Sequence, residues 1–143
     1  FGPEHGRAHL ARAILEGQAH AMREGRDLLV RATRRSIDKL VVVGAASRSD
    51  LVLQTMADVI GLPAMRLHTP EAASLGAAVA AAVGAGLHAD VRAATAAMVR
   101  PGARFDPDAK HAALYDRLHR EVYRPMYRRV APLYASLARI FSR

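Results

Sequence analysis

Lys39-Leu40-Val41-Val42-Val43-Gly44-Ala45-Ala46-Ser47-Arg48-Ser49-Asp50 passes from a β-branched run through a glycine and a turn of small residues into helical spacing. The run Lys39 to Gly44 reads as a strand buried on both faces, because apolar residues follow one another without alternation. Ala45 to Ser49 form the loop. From Asp50 to Ile60 the apolar residues Leu51, Leu53, Met56, Val59 and Ile60 return at helical intervals, Gly61 is a stop signal and Pro63 cannot extend the helix. A turn of this kind brings backbone N–H groups and a helix N-terminus toward a nucleotide. It lacks the Gly-Lys-Ser/Thr of a P-loop and the GxGxxG spacing, so on residues alone a tight βα turn capped by Ser49 or Asp50 stands beside the nucleotide reading.

Downstream, Pro63 to Leu67 reads as a second, shorter strand. Thr69 is placed as N-cap and Pro70 at the first helical position of a helix from Glu71 to about Ala85. That helix is nearly all Ala, Val, Gly and Leu. It is too short and too alanine-rich for a bilayer core, and is expected to lie buried on a sheet, with Gly76 allowing close approach. A short helix covers Asp90 to Val99, Arg100-Pro101-Gly102 breaks the chain, and Phe105-Asp106-Pro107-Asp108 opens the last helix.

Upstream, His5 to about Arg35 is helical, with Leu10, Ile14, Gly17, Ala21 and Leu28 as its apolar stripe. Gly17 marks either a close contact or a tolerated glycine. In the last helix Leu114, Leu118, Val122, Met126, Val130, Leu133, Leu137 and Phe141 form the stripe expected to pack on the body, while Pro125 and Pro132 should kink or divide it. The order is α/β, with short parallel strands between helices and a long C-terminal helix. Two strands are too few for a free-standing sheet, so the 143 residues are expected to be part of something longer.

Composition narrows the chemistry. With no cysteine there is no disulfide framework, thiolate zinc site or cysteine nucleophile. The net charge of +8 points first to nucleic acid, yet residues 40–100 carry as many acidic as basic groups and residues 117–143 carry seven basic groups against one acidic. The excess is thus an arginine face on the terminal helix, read as solvated; Tyr115, Tyr123, Tyr127 and Tyr134 read as core-edge packing rather than base-stacking platforms. His5 and His9 have the spacing of a metal pair but lack the Glu of HExxH and a third ligand, so no metal site is assigned. His20, His68, His88, His111 and His119 read as surface or interface residues. Asp58, near a helix C-terminus where a carboxylate is disfavoured, is expected to have a structural arginine partner.

Five segments then stand in register: Arg12-Ala13-Ile14-Leu15-Glu16-Gly17, Val43 to Ser49, Gln54 to Pro63, Glu71-Ala72-Ala73-Ser74-Leu75-Gly76-Ala77-Ala78, and Phe105-Asp106-Pro107-Asp108 with its tyrosine-bearing helix. Together they resemble the FGGY family of carbohydrate kinases, xylulokinase- and ribulokinase-like. The resemblance implies two actin-like (ribonuclease H-like, hexokinase-type) domains closing over ATP and a sugar or polyol. This chain would be the last part of the second, nucleotide-holding domain, with residues 1–107 as that part and residues 108–143 as an amphipathic helix packed on it.

The resemblance places Gly44, Ala45, Ala46, Ser47, Arg48 and Ser49 at the nucleotide. Gly44 matches the first glycine of the family loop, Arg48 its basic position, and Ser49 the residue facing the base. Ala45 and Ala46 stand where two glycines are usual, and would be strained there if either needed φ > 0. The family's general base, sugar contacts and Mg²⁺-holding loops have no counterpart in these residues, so no catalytic residue is named. The implied cofactors are ATP and Mg²⁺. The implied reaction is γ-phosphoryl transfer to a ketopentose such as xylulose or ribulose, with the 143 residues alone inactive. Partners are then ATP or ADP and the sugar, with nucleic acid disfavoured, no membrane, a homodimer left open and a cytoplasmic location. The competing readings are a non-catalytic binding or scaffolding domain using its basic helix, and a kinase relative that has lost ATP binding.

Overall fold

The computed structural model describes residues 2–142. The element order is α1 (Arg7–Thr33), β1 (Leu40–Val42), a 3₁₀ turn (Ala45–Arg48), α2 (Asp50–Ile60), β2 (Ala64–Leu67), α3 (Ala72–Gly84), α4 (Val91–Met98), β3 (Pro101–Phe105), α5 (Ala109–Leu118), a π-helical segment (His119–Tyr123) and α6 (Arg124–Phe141). Helix α2 runs as its caps dictate. The Ser49 hydroxyl accepts from the Val52 N–H, and Gly61 ends the helix in the left-handed region at φ 73°.

Around α2 the core assembles. Leu53, Met56, Ala57, Val59 and Ile60 pack with Ala19 of α1, Val42 of β1, Ala64 of β2 and Tyr115 of α5. Burial of Leu53, Val59 and Ile60 contributes roughly 1.5–3 kcal/mol each.

The sheet has the order β1-β2-β3. The parallel pair β1–β2 sets Leu40 against Ala64 and Val42 against Arg66. The third strand is antiparallel to β2, pairing Phe105 with Ala64 and Pro101 with Leu67. Sequence reading takes this stretch as a chain break because of Pro101 and Gly102. Both are tolerated because β3 is an edge strand that begins at the proline. Gly102 also favours the close approach: a Cβ there would sit 3.1 Å from the Arg66 and Leu67 backbones, beside the register irregularity between Met65 and Leu67.

Several burial expectations are corrected. β1 is covered on one face only, with Val42 buried and Val41 and Val43 exposed, the alternation of a strand packed on one side. Thr69 does not cap α3; the helix begins two residues later with Glu71 in the cap position and no side-chain bond. Of α3 only Val79 and Ala82 are buried, and nothing lies within 4 Å of where a Gly76 Cβ would be. Gly17 likewise has open space, so it is a tolerated glycine.

Helix α1 packs by a face that its apolar stripe does not mark. Leu10, Ile14 and Leu28 are exposed, whereas Ala19 and His20 are buried. The packed face succeeds with polar side chains because several of them find partners, although Arg23 Nε and Glu24 Oε2 are buried without a hydrogen bond. The Arg23 and Arg26 guanidiniums donate to the Val59 and Ile60 carbonyls at 3.0 and 3.4 Å, capping acceptors that the end of α2 leaves unpaired. The Tyr115 hydroxyl donates to Glu16 Oε1 at 2.6 Å and accepts from Arg12 at 2.9 Å.

The terminal stripe is corrected too. No residue of α6 is buried, and Leu133, Leu137 and Phe141 face solvent. The C-terminal segment is held instead by Tyr115 and His119. The π segment immediately precedes Pro125, where the wider turn relieves the clash a proline ring makes with the carbonyl four residues back. Pro132 lies inside α6 without ending it.

Candidate functional site

Gly44 leaves β1 at φ 76° and ψ −162°, a combination essentially restricted to glycine. Its N–H donates to the Pro70 carbonyl at 2.8 Å, and its own carbonyl accepts from the Ser47 N–H at 3.0 Å and the Ser47 hydroxyl at 2.7 Å. The six residues placed at the nucleotide by sequence therefore divide. Gly44 sets the turn and Ser47 is fully buried within it, so the Ser47 hydroxyl is committed to the loop. Ala45 and Ala46 are exposed, and neither has a positive φ. Alanine carries no backbone strain at these two positions. Standing at the start of the 3₁₀ turn, they leave N–H groups that the turn itself cannot pair. Ser49, half-buried, spends its hydroxyl on capping α2.

Arg48 is exposed and ion-paired with Glu71 ahead of α3. Sequence reading missed Arg66 of β2, which organises the loop from below. Its Nη1 donates to the Ser47 carbonyl at 3.1 Å and lies 2.9 Å from Asp50 Oδ1, and its guanidinium sits 5.5 Å from the Phe105 ring centre. A lone arginine in the otherwise apolar Ala64-Met65-Arg66-Leu67 was the signal available. Beside the loop lies an open recess of about 430 Å³ lined by Ser47, Arg48, Arg66, His68, Pro70 and Gly102. A larger groove of about 980 Å³ between α1 and α6 shares no residue with it.

The arrangement offers an exposed backbone shelf, Gly44 to Ala46, with cationic groups beside it. The acidic groups at the loop, Asp50 and Glu71, are ion-paired with Arg66 and Arg48. Asp58 is 2% exposed, and the arginine partner expected from the sequence is not found among the described residues. Its Oδ1 accepts from Gln54 Nε2 and from the Asp108 N–H, both at 2.9 Å, and its Oδ2 is 3.5 Å from His111 Nδ1. It anchors the start of α5.

His5 and His9 turn one ring nitrogen each to backbone, accepting from the Gly2 and Gly6 N–H groups. His20 and His119, expected at a surface or an interface, are buried against each other. Glu24, Asp27 and His119 bring ligand-type atoms within 4.8 Å of one another. The carboxylates already face guanidiniums, Arg26 on Asp27 at 2.8 Å and Arg31 and Arg124 on Glu24, which makes the cluster an ion-pair network. Burial pushes the Glu16 carboxyl up, but the bonds from Tyr115 and Arg12 outweigh it and leave it below the ordinary carboxylate value. Burial and the Glu16 bond raise the Tyr115 phenol.

The family model for the FGGY family of carbohydrate kinases, C-terminal domain, matches residues 1–85. A xylulose kinase of Lactococcus lactis is 28% identical over 130 residues, covering 90% of this chain and 26% of the relative. A glycerol kinase of Dechloromonas aromatica is 35% identical over 132 residues, covering 89% of this chain and 26% of the relative. The crystal structure of xylulose kinase from Rhodospirillum rubrum superposes with a TM-score of 0.78 at 32% identity, over 94% of this chain and 27% of that one. The chain thus spans about a quarter of the length of the relatives it matches. Its fold is that of the corresponding actin-like part of these sugar kinases. Among the described residues no helix is long and apolar enough to cross a membrane.

Proposed function

The chain belongs to the FGGY family of carbohydrate kinases, and on that premise we propose that it supplies the adenosine side of an ATP-binding cleft in a cytoplasmic sugar kinase. The observation that carries this is the Gly44 turn: a glycine-only conformation pinned on both sides, which lays the Gly44-Ala45-Ala46 backbone open at the end of a strand. Strain-free Ala45 and Ala46 favour a loop still able to receive a nucleotide over one that has lost the capacity. Gly44 to Ala46 would lie along the nucleotide, with Arg48 and Ser49 beside it. ATP supplies the phosphoryl group that such kinases transfer. With Asp50 and Glu71 engaged by arginines, Mg²⁺ would be held by groups outside these 143 residues.

The acceptor is a ketopentose such as xylulose or ribulose; the names of the relatives, which include glycerol kinases, support a sugar or polyol more broadly. Residues 1–107 form the nucleotide-side part and residues 108–143 the C-terminal helical part, a reading supported by Asp108 as N-cap of α5. Exposed Val41, Val43, Leu10 and Ile14 favour the view that further kinase structure covers these faces.

Calorimetric titration of the chain with Mg-ADP tests the reading. Saturable binding is expected, weakened at least tenfold by Ala45→Leu, a loss of about 1.4 kcal/mol. No ADP binding would overturn it, as would turnover of a pentulose by the 143 residues alone. The exposed arginine face of α6 favours a second reading as a binding domain. Steeply salt-dependent nucleic-acid binding without any ADP signal would support that instead.

A further inference from the structure

His20 of α1 and His119 at the start of the π segment are 6% and 1% exposed. Their Nδ1 atoms are 3.1 Å apart, their rings stack at 5.3 Å between centres, and the Tyr123 ring stacks on both. An N···N contact at this distance holds one hydrogen. One nitrogen donates and the other accepts, which two neutral imidazoles achieve by choice of tautomer. One added proton is also accommodated, since His119 can then donate from Nδ1 to His20 while its charge faces Glu24 Oε2, 3.4 Å from Nε2 and not aligned as a hydrogen bond. A second added proton sets two N–H groups against each other inside a buried stack.

The surrounding charges come from every neighbouring element. From α1, Glu16 and Arg23 face His20, and Arg23, Glu24 and Asp27 face His119. From α5 and the π segment come Tyr115, Asp116 and Tyr123, and Arg124 of α6 lies 3.5 Å from Glu24. Helix α2 reaches the cluster through the Val59 carbonyl that Arg23 holds. The near balance of carboxylates and guanidiniums leaves the pair itself as the group of this cluster that changes charge as pH falls below the ordinary histidine range.

We propose that His20 and His119 form a single-proton latch that docks the C-terminal helical segment on α1 near neutral pH and releases it when both rings are protonated. The latch stands independently of the nucleotide reading. It lies beside the groove between α1 and α6, which Glu24, Tyr123 and Arg124 help to line, so release would widen that groove. Burial depresses both imidazoles, helped by the partner histidine's charge at His20 and by Arg23 at His119. The undocked rings, with pKa near ~6.5, then bind more protons than the docked pair. Docking is therefore full above that value and is lost as pH falls below it.

Amide hydrogen exchange on the whole chain from about pH 7.5 to 5, corrected for intrinsic exchange, reads the latch. Opening of residues 115–130 should rise about tenfold per pH unit below ~6.5, one extra proton being taken up. In His20→Gln the rise should be smaller and level off, because His119, still depressed by burial and Arg23, is then the one imidazole of the pair left to take up a proton and meets an amide rather than a second ring. Flat exchange in the unaltered chain, or a rise equally large in His20→Gln, would overturn the proposal. If His20→Gln does not fold, histidine proton resonances of the unaltered chain decide. Two well-separated titration steps support the latch; one shared midpoint near the ordinary histidine value refutes it.

Discussion

Replacing Asp58 by alanine tests how the end of α2 is joined to the start of α5. Asp58 sits in the last turn of α2, where the helix dipole disfavours a carboxylate by about 0.3–1 kcal/mol. That cost is offset because Oδ1 lies at the start of α5 and accepts the Asp108 N–H at 2.9 Å. A hydrogen bond to a buried charged acceptor contributes about 1.5–3 kcal/mol. Gln54 adds about 1 kcal/mol, since after the substitution its amide keeps the Asp106 carbonyl at 3.0 Å. His111 is exposed and adds little across 3.5 Å. With the dipole penalty relieved, Asp58→Ala should cost about 2–3 kcal/mol, lowering Tm by roughly 6–9 °C at ~3 °C per kcal/mol. Asp58→Asn keeps an oxygen for the Asp108 N–H and should cost about half as much. Urea and thermal melts followed by far-UV circular dichroism check both. A loss under about 0.5 kcal/mol in Asp58→Ala, the range of an ordinary surface change, would refute the anchoring role. So would an Asp58→Asn variant as unstable as Asp58→Ala, which would put charge rather than the hydrogen bond in control.

The remaining expectations concern the turn and the α1–α5 seam. Gly44→Ala meets no atom within 4 Å, so its cost is conformational, about 1–3 kcal/mol. The bonds to Pro70 and Ser47 prevent relaxation, and thermal melting should show the loss; an unchanged midpoint would mean that the turn adapts. Tyr115→Phe keeps the buried ring and removes the hydroxyl that links Glu16 and Arg12. Those two remain bonded to each other at 2.8 Å, so the expected loss is about 1 kcal/mol in a urea melt, and a loss above 3 kcal/mol would show that the hydroxyl holds more than this pair.

Local chemistry made much of the molecule legible. Ser49 and Gly61 mark the ends of α2 because a hydroxyl cap and a left-handed glycine act on adjacent backbone. The Val run ending at Gly44 fixed the strand and the position of the loop, and the segments in register fixed the family before any contact was known. The third strand was hidden because Pro101 and Gly102 disfavour a strand locally, and only pairing with the edge of β2 overrules them.

Burial followed the same division. An apolar stripe states which residues favour cover, not what stands opposite. Leu10, Ile14 and the α6 stripe remain exposed while Arg23, Glu16 and His20 form the packed face of α1. Arg66 beneath the loop, Asp58 at the start of α5, and the His20–His119 pair, 99 residues apart in sequence, all draw their roles from partners that the chain brings near only on folding. The sequence by itself settled the caps of α2, the place of the Gly44 turn and family membership, which depend on neighbouring residues, whereas the start of α3 escaped it. Tertiary structure decided which polar groups are buried and what each one holds, because the cost of burying a donor or acceptor is set by the partner it meets.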